Sequence, residues 1–319
     1  MLTIVIPTFD RASFLEKLLD NLYVQTLDYK NIIKVLIIDN FSSDGTEKLC
    51  IDYCKRMENL IYIKNDLNIG PDGNFIKGFR LVESKYFWFI GDDDLPRIGL
   101  IKLIISFLNS SEASLIYLPS KWSPEIKTTD LSNLEDLEFK RFSLLEFTSQ
   151  INIWTTFISS WVVNRNQISL NADDFACFDK TNFIQLYWIF PLLNYRSKLF
   201  IAQNYSILAT GGNTRGSYRL LNTFGCKFPK LVKSYFNNDV NISNNLIKPF
   251  IKSFLPRLII GKKLGNYKDK ESRKSIFGLL SLELKNYIEF WLYCVPVILI
   301  PSPFIYIIYK IYKKFYRKK

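Results

Sequence analysis

Leu2–Leu22, LTIVIPTFDRASFLEKLLDNL, falls into three pieces of different character. Leu2–Ile6 is a short apolar run rich in β-branched residues, the composition of a buried strand. Pro7-Thr8-Phe9-Asp10-Arg11 is a polar turn, and Leu15, Leu18, Leu19 and Leu22 then recur at helical spacing, with Asp10 placed as the N-cap. Strand, turn and helix in this order make the first half of a βαβ unit. Met1–Pro7 is too short for a secretory signal and lacks a basic leader, so it reads as the first strand.

The unit recurs. Ile33–Ile38, Leu60–Ile63 and Tyr86–Ile90 are further short apolar runs, Asp44-Gly45-Thr46 opens a second helix, and Pro71 a third. Such alternation predicts an α/β fold with a mostly parallel sheet and right-handed crossovers. Ligands of these sheets bind at the carboxyl ends of the strands. Four polar clusters stand there: Pro7–Arg11, Asp39-Asn40-Phe41-Ser42-Ser43-Asp44, Asn65–Gly70 and Gly91–Asp94. Parallel strands would bring all four to one rim. Further on, Leu115–Leu118 and Phe157–Val163 read as strands and Phe183–Leu193 as an aromatic helix. Ser149–Trp161 suits either a wall that meets a sugar or lipid, or an ordinary core strand with its turn.

The composition excludes whole mechanisms. The chain of 319 residues contains no histidine, which removes Ser-His-Asp and Cys-His hydrolases, His-ligated zinc and imidazole bases. The 5 cysteines, odd in number and without paired C-x-x-C spacing, read as reduced core residues and favour the cytosol. The net charge of +12 lies entirely beyond residue 247, which predicts an anionic surface as partner. Phe290–Tyr309 has no charge at all and is followed by KIYKKFYRKK. Pro296, Pro301 and Pro303 argue against a straight spanning helix. The expectation is a segment lying in or re-entering the cytoplasmic leaflet of the cell membrane, held by the basic tail, with a buried C-terminal helix as the alternative and nucleic acid disfavoured because no binding module accompanies that charge.

Asp92, Asp93 and Asp94 end an apolar strand. Two carboxylates about 4 Å apart repel by about 4 kcal/mol at an effective dielectric near 20, so an offset is required. A divalent cation provides one, and oxygen ligands suit Mg²⁺ or Mn²⁺, which take one or two carboxylates and fill their shells with water and phosphate oxygens. The implied ligand is a diphosphate. Asp39, one residue past its apolar run, can accept from a base imide or a ribose hydroxyl, or simply close a turn; Asp44 reads as an N-cap or Asx turn.

IVIPTFDRASFLEKLLDNL, VLIIDNFSSDGT, NDLNIGPDGNFIKGF and YFWFIGDDDLP, in this order and spacing, resemble the nucleotide-sugar half of inverting family 2 glycosyltransferases of the GT-A fold. The GDDD form and NIGPDGNF are most similar to the abequosyltransferase-like branch, which builds bacterial surface polysaccharides. The resemblance covers residues 1–105 well and 106–220 loosely. It implies a GT-A, Rossmann-like sheet with a nucleotide-sugar half at 1–105 and an acceptor half at 106–235, while the charge and hydropathy of 236–319 mark that stretch as a membrane-associating helical module. It also implies that Pro7 and Thr8 line the nucleotide with Asp10 and Arg11 nearby. Asp39 would contact the base, and Asn68 and Gly70 would bring backbone close to the nucleotide. The acidic motif would bind ribose and the metal.

Two departures stand out. Asp10 replaces the family's usual Asn, and Gly91 replaces what is often the first Asp of D-x-D-D, leaving two registers, Asp92-x-Asp94 or a motif centred on Asp93. Inverting transfer needs a base for the acceptor hydroxyl. The second half of the chain lacks the Glu-Asp pair that often supplies it, and Asp179, with Asp173 and Asp174 behind it, is the nearest candidate, solvated loop acids being the alternative. Gly211–Ser217 lacks the lysine of a phosphate loop and reads as a lid whose Arg215 or Arg219 neutralises diphosphate, or as an exposed loop. The expectation is metal-dependent sugar transfer from a nucleotide-diphosphate sugar to a lipid-linked or glycan acceptor. A nucleotidyltransferase acting on sugar phosphates, or a non-catalytic membrane-docked scaffold, are the alternatives.

Overall fold

The computed structural model describes residues 1–123, 131–168, 175, 178, 181–210, 219–265 and 275–306. They divide into two compact units, one drawn from 1–147 and 154–213, the other from 148–153 and 214–319.

Up to Thr210 the elements are β1 (Leu2–Thr8), α1 (Ala12–Thr26), β2 (Ile33–Asp39), α2 (Thr46–Cys54), β3 (Leu60–Lys64), α3 (Gly70–Arg80) and β4 (Tyr86–Phe89). There follow β5 (Leu95–Pro96), α4 (Leu100–Ser110), β6 (Leu115–Tyr117), β7 (Ser120–Ser123), β8 (Phe139–Phe142), α5 (Leu144–Ile151) and β9 (Trp161–Asn164). The last are α6 (Leu186–Ile189), β10 (Leu199–Ala202) and β11 (Ile207–Thr210). Eight strands form one sheet in the order β3-β2-β1-β4-β9-β6-β10-β8. As expected, β1 to β4 are parallel neighbours. Only β9 and β8 run against their neighbours. A second sheet has the order β5-β11-β7.

The sheet is covered on both faces, which is why its inner strands are predominantly apolar. Leu2, Ile4 and Ile6 of β1 and Trp88 of β4 pack with Leu15, Leu18, Leu19 and Leu22 of α1 and Ile101, Ile104 and Ile105 of α4. On the opposite face, α3 lies directly on β1. A Cβ on Gly78 would come within 2.8 Å of Val5 Cγ1, so this close approach needs glycine. Trp188 stacks on Phe79 at 5.2 Å and on Phe89 at 4.9 Å, with Phe87 edge-on at 5.9 Å. Each such pair contributes about 0.5–1.5 kcal/mol beyond its burial.

Three local expectations are corrected. The aromatic helix over Phe183–Leu193 is a single turn, α6, followed by a 3₁₀ turn at Phe190–Leu192. Leu186–Phe190 are all buried, so no solvent face sustains a helical period there. The strand expected from Phe157 begins only at Trp161, because Ile158–Ser160 form a 3₁₀ turn. Ser159, Ser160 and Trp161 are core residues, which favours the core reading of that stretch. Asp10 does not cap α1: its carboxylate accepts from Ser43 N–H at 2.7 Å, and Asp44 Oδ2 instead accepts from Ala12 N–H at 3.1 Å.

The second unit is helical: α7 (Leu220–Asn222), α8 (Phe228–Tyr235), α9 (Val240–Pro249), α10 (Leu255–Lys263), α11 (Ile276–Leu284) and α12 (Val295–Leu299). Five-residue π turns at Thr223–Lys227, Phe250–Phe254 and Phe290–Cys294 lead into α8, α10 and α12. In each case a proline, Pro229, Pro256 or Pro296, is the second residue of the helix that follows. Proline inside a helix clashes with the carbonyl four residues back and lacks a donor, and a widened turn relieves both. Among the described residues no helix is long and apolar enough to cross a membrane.

Candidate active site

Backbone pairing continues past the strand ends, so the loops leave the sheet side by side. Asn40 N–H donates to Thr8 O, Asn65 N–H to Asp39 O and Ile90 N–H to Val5 O, each at 2.9 Å. Pro7 has no N–H to offer β4, and pairing of β1 with β4 ends at Val5 opposite Phe89. The chain after β4 turns at that point, Asp94 N–H bonding Gly91 O at 3.0 Å. This delivers the acidic triplet to the residues that follow β1.

Thr8 Oγ1 donates to Asp92 Oδ2 at 2.8 Å. The Arg11 guanidinium forks, with Nη1 2.9 Å from Asp92 Oδ1 and Nη2 2.6 Å from Asp93 Oδ2. Asp94 accepts from Ser159 Oγ and from the Thr210 backbone, and forms no ion pair among the described residues. Asp92 and Asp94 are 3% and 4% exposed, whereas the Asp93 side chain is 20% exposed. Burial pushes the Asp92 carboxyl up to about 7 against the pull of Arg11, and burial together with the Asp93 charge pushes Asp94 up to about 8.

Ser159 is held by the sheet itself. Because β9 is antiparallel to β4, with Trp88 opposite Val162, Ser159 falls across from Gly91. Its hydroxyl accepts from Gly91 N–H at 2.9 Å while donating to Asp94, and its carbonyl accepts from the Trp88 indole N–H at 2.7 Å. A Cβ on Gly91 would lie 3.0 Å from Asp94 Oδ2 and 3.3 Å from Asp93 Oδ1. The carboxylates of the following residues fill the room that a side chain at 91 would need.

Asp39 is fully buried. Its Oδ1 accepts from the Ser42 N–H and hydroxyl, and its Oδ2 accepts from the Tyr62 hydroxyl at 2.7 Å. Ser42 Oγ in turn accepts from Asp10 N–H at 2.9 Å, tying the loop after β2 to the loop after β1. Asn40 Oδ1 accepts from Asn65 Nδ2 at 3.1 Å and from Ile69 N–H at 2.9 Å. Asn40 Nδ2 donates to Asn68 Oδ1 at 2.9 Å, which also accepts from Gly70 N–H at 2.9 Å. Gly70 has φ +78°, a conformation that favours glycine. Pro7, Thr8, Asp10, Arg11, Asp39, Asn68, Gly70 and Asp92–Asp94 therefore stand on one rim. Asp173, Asp174, Asp179 and Arg215 lie outside the described residues.

The site carries more negative than positive charge, and all its donors are oxygens. Among the described residues no three carboxylates or thiols are close enough to hold a metal ion together. Oxygen donors are the type that Mg²⁺ or Mn²⁺ takes, through one or two carboxylates with water and ligand oxygens completing the shell. Ser159, Thr210 and Tyr62 were not legible as site residues: each reaches it across a strand pairing that no local motif announces. Asn40, beside Asp39, could have been found from its place past the end of the apolar run.

The model of the family described as "Glycosyl transferase family 2" matches residues 3–166. Abequosyltransferase RfbV of Salmonella typhimurium is 34% identical over 112 residues, 34% of this chain and 33% of its own length. The GalNAc(5)-diNAcBac-PP-undecaprenol beta-1,3-glucosyltransferase of Campylobacter jejuni is 25% identical over 170 residues, 51% and 53% of the two chains. The chain thus spans between a third and about half of the length of these relatives. Among solved structures, S. aureus TarS 1-349 in complex with UDP superposes with TM-score 0.59 at 16% identity, covering 89% of this chain and 80% of that one. Mannosyltransferase PcManGT from Pyrobaculum calidifontis, in complex with GDP-Man and Mn²⁺, does so with TM-score 0.55 at 12% identity, covering 100% and 88%. At those identities the superpositions speak for the fold alone, a GT-A-like α/β sheet. The family match, over half of the chain, carries the conclusion that it belongs to glycosyl transferase family 2.

Proposed function

We propose that this protein transfers a hexosyl group, with inversion, from a nucleotide-diphosphate sugar to a lipid-linked or glycan acceptor in surface polysaccharide synthesis at the cytoplasmic membrane face. The observation that carries this reading is the gathering of four strand-end loops on one rim, in a family 2 frame, where a buried acidic motif pairs with Arg11.

Asp93, the most exposed of the three acids, and Asp94 behind it would hold Mg²⁺ or Mn²⁺. When bound, that ion would neutralise the departing diphosphate. Asp92, locked by Thr8 and Arg11, would orient the ribose. Arg11 can turn from the carboxylates toward phosphate oxygens, for which its planar fork is suited. Asp39 meets the base by exchanging the Tyr62 hydroxyl on Oδ2 for a base N–H, with Pro7, Asn68 and Gly70 framing the nucleotide. Asp179, supported by Asp173 and Asp174, would take the acceptor proton, and Arg215 would close over the diphosphate.

The test is a screen of nucleotide sugars for Mn²⁺- or Mg²⁺-dependent hydrolysis and transfer, with wild-type and Asp93→Ala chains. Turnover with one donor, lost in chelator and in Asp93→Ala while the circular dichroism spectrum is unchanged, is the expected result. Undiminished turnover by Asp93→Ala removes the metal reading. Absence of any nucleotide-diphosphate binding by calorimetry removes the transferase reading and favours a scaffold.

A further inference from the structure

Two observations on the helical unit converge on one surface. The first is an apolar outer face. Leu282, Ile288, Trp291, Leu292, Leu299 and Phe304 are 45–72% exposed. Ile288, Leu292 and Leu299 recur at helical spacing on the outside, while Phe290 and Cys294 are fully buried on the inside. An outward helix face in water is ordinarily polar. Here Phe290–Tyr309 contains no charge.

The second is where the charges go. Among the described residues beyond 247 the only acids are Glu283 and Glu289. Glu283 pairs with Lys233, and Glu289, its side chain 9% exposed, lies 3.9 Å from both Lys248 and Lys252. Glu289 is buried in the bundle, and Glu283 is half-buried against Lys233. In sequence, Lys285 precedes the uncharged run and six Lys/Arg follow Tyr309 with no acid among them. Backbone polarity is also managed. Lys263 Nζ donates to Val297 O at 3.0 Å and to the Ile298 and Ile300 carbonyls, satisfying the end of α12 where Ile300 turns extended ahead of Pro301. The Trp291 indole N–H is bonded to Lys285 O at 2.8 Å. Satisfied backbone, an apolar face that includes a tryptophan, and basic flanking sequence are the requirements of an interfacial helix.

We infer that Ile276–Phe304 is a docking surface whose partner is the headgroup and acyl boundary of an anionic bilayer, with Ile288, Trp291, Leu292 and Leu299 entering it in the plane of the membrane. The acids are withdrawn because an outward carboxylate would oppose the lipid phosphates.

The experiment is flotation of the full chain with vesicles of phosphatidylglycerol and phosphatidylcholine in equal parts, against phosphatidylcholine alone. The wild type is expected to float with the anionic vesicles and to partition more weakly onto the neutral ones. Leu292→Glu with Leu299→Glu, both at exposed positions, should lower the anionic partition by about tenfold or more with an unchanged circular dichroism spectrum. The inference is overturned if the wild type stays unbound. It is equally overturned if the double variant floats like the wild type, or loses self-association in sedimentation while keeping its vesicle partition, which would make the face a contact between copies. No donor is present, so failure here leaves the transferase reading standing; Asp93→Ala should float like the wild type.

Discussion

Ser159→Ala deletes one oxygen and breaks two hydrogen bonds, one buried and one part-buried. In the native chain that oxygen donates to Asp94 and accepts from Gly91 N–H at 2.9 Å. At neutral pH Asp94 holds its proton, so its bond with Ser159 joins neutral groups and is worth about 0.5–1.5 kcal/mol, while a donor left without a partner costs about 1–3 kcal/mol. Gly91 is only half-buried, so water can reach its N–H and the lower end of that range applies. The expected loss is about 2 kcal/mol, well above the ~0.5 kcal/mol of an ordinary surface substitution. Ser43→Ala, an exposed hydroxyl 3.2 Å from Asp10, is the control. Urea unfolding gives the stability, and kcat/KM for the donor found in the screen gives the effect on the acidic motif. Asp94 would keep its backbone bond from Thr210 but lose the group that fixes its direction, so turnover should fall with stability. A loss below about 1 kcal/mol, indistinguishable from Ser43→Ala, refutes the reasoning that Ser159 holds the motif.

In metal-free protein, Asp94 and Asp92 keep their protons in the folded state up to about 8 and about 7, against 3.8 unfolded. The folded chain therefore binds more protons across that window, and their contribution to stability falls as pH rises from about 4 to about 8. Asp94→Asn should flatten this slope in urea midpoints taken in chelator, and parallel wild-type and variant profiles would contradict it. Arg11→Ala leaves Asp92 and Asp93 without their shared cation and should cost about 3 kcal/mol in metal-free stability, which Arg11→Lys does not restore because an ammonium cannot fork; full rescue by lysine would count against the bidentate geometry. Gly91→Ala, whose Cβ meets Asp94 Oδ2 at 3.0 Å, should lower kcat/KM about tenfold with the fold retained, as read by kinetics and circular dichroism. Gly78→Ala drives a Cβ to 2.8 Å from Val5 and should destabilise by about 1–3 kcal/mol in thermal unfolding, with no loss measured if α3 can lift off β1.

Local patterning and tertiary contact divided the labour unevenly. The strands β1 to β4, their parallel pairing and the shared rim were legible because apolar runs of strand length alternate with helical spacing and each run ends in polar residues. Asp92–Asp94 were legible because adjacent like charges after an apolar strand demand a partner. The nature of Asp39 as a buried hub was not, since burial on both sides comes from Ser42 and Tyr62, the latter on another strand. Asp10 looked like a cap because only its distance from the helix is local; Ser43, across the rim, competes for its carboxylate.

What the order of residues determined by itself is the repeated strand, turn and helix, the end of the sheet at which chemistry collects, and the basic, apolar character of the last seventy or so residues. Side-chain periodicity and charge run along the chain and need no neighbour to be read. Only the tertiary structure decided that Ser159, 65 residues from Asp94, orients that acid, and that Arg11 rather than a surface lysine answers Asp92 and Asp93. It alone also decided that Glu289 is buried and that Glu283 is half-buried against Lys233. Those partnerships follow from strand order and helix packing, which bring distant segments within hydrogen-bond range, and no short window of sequence contains both ends of such a bond.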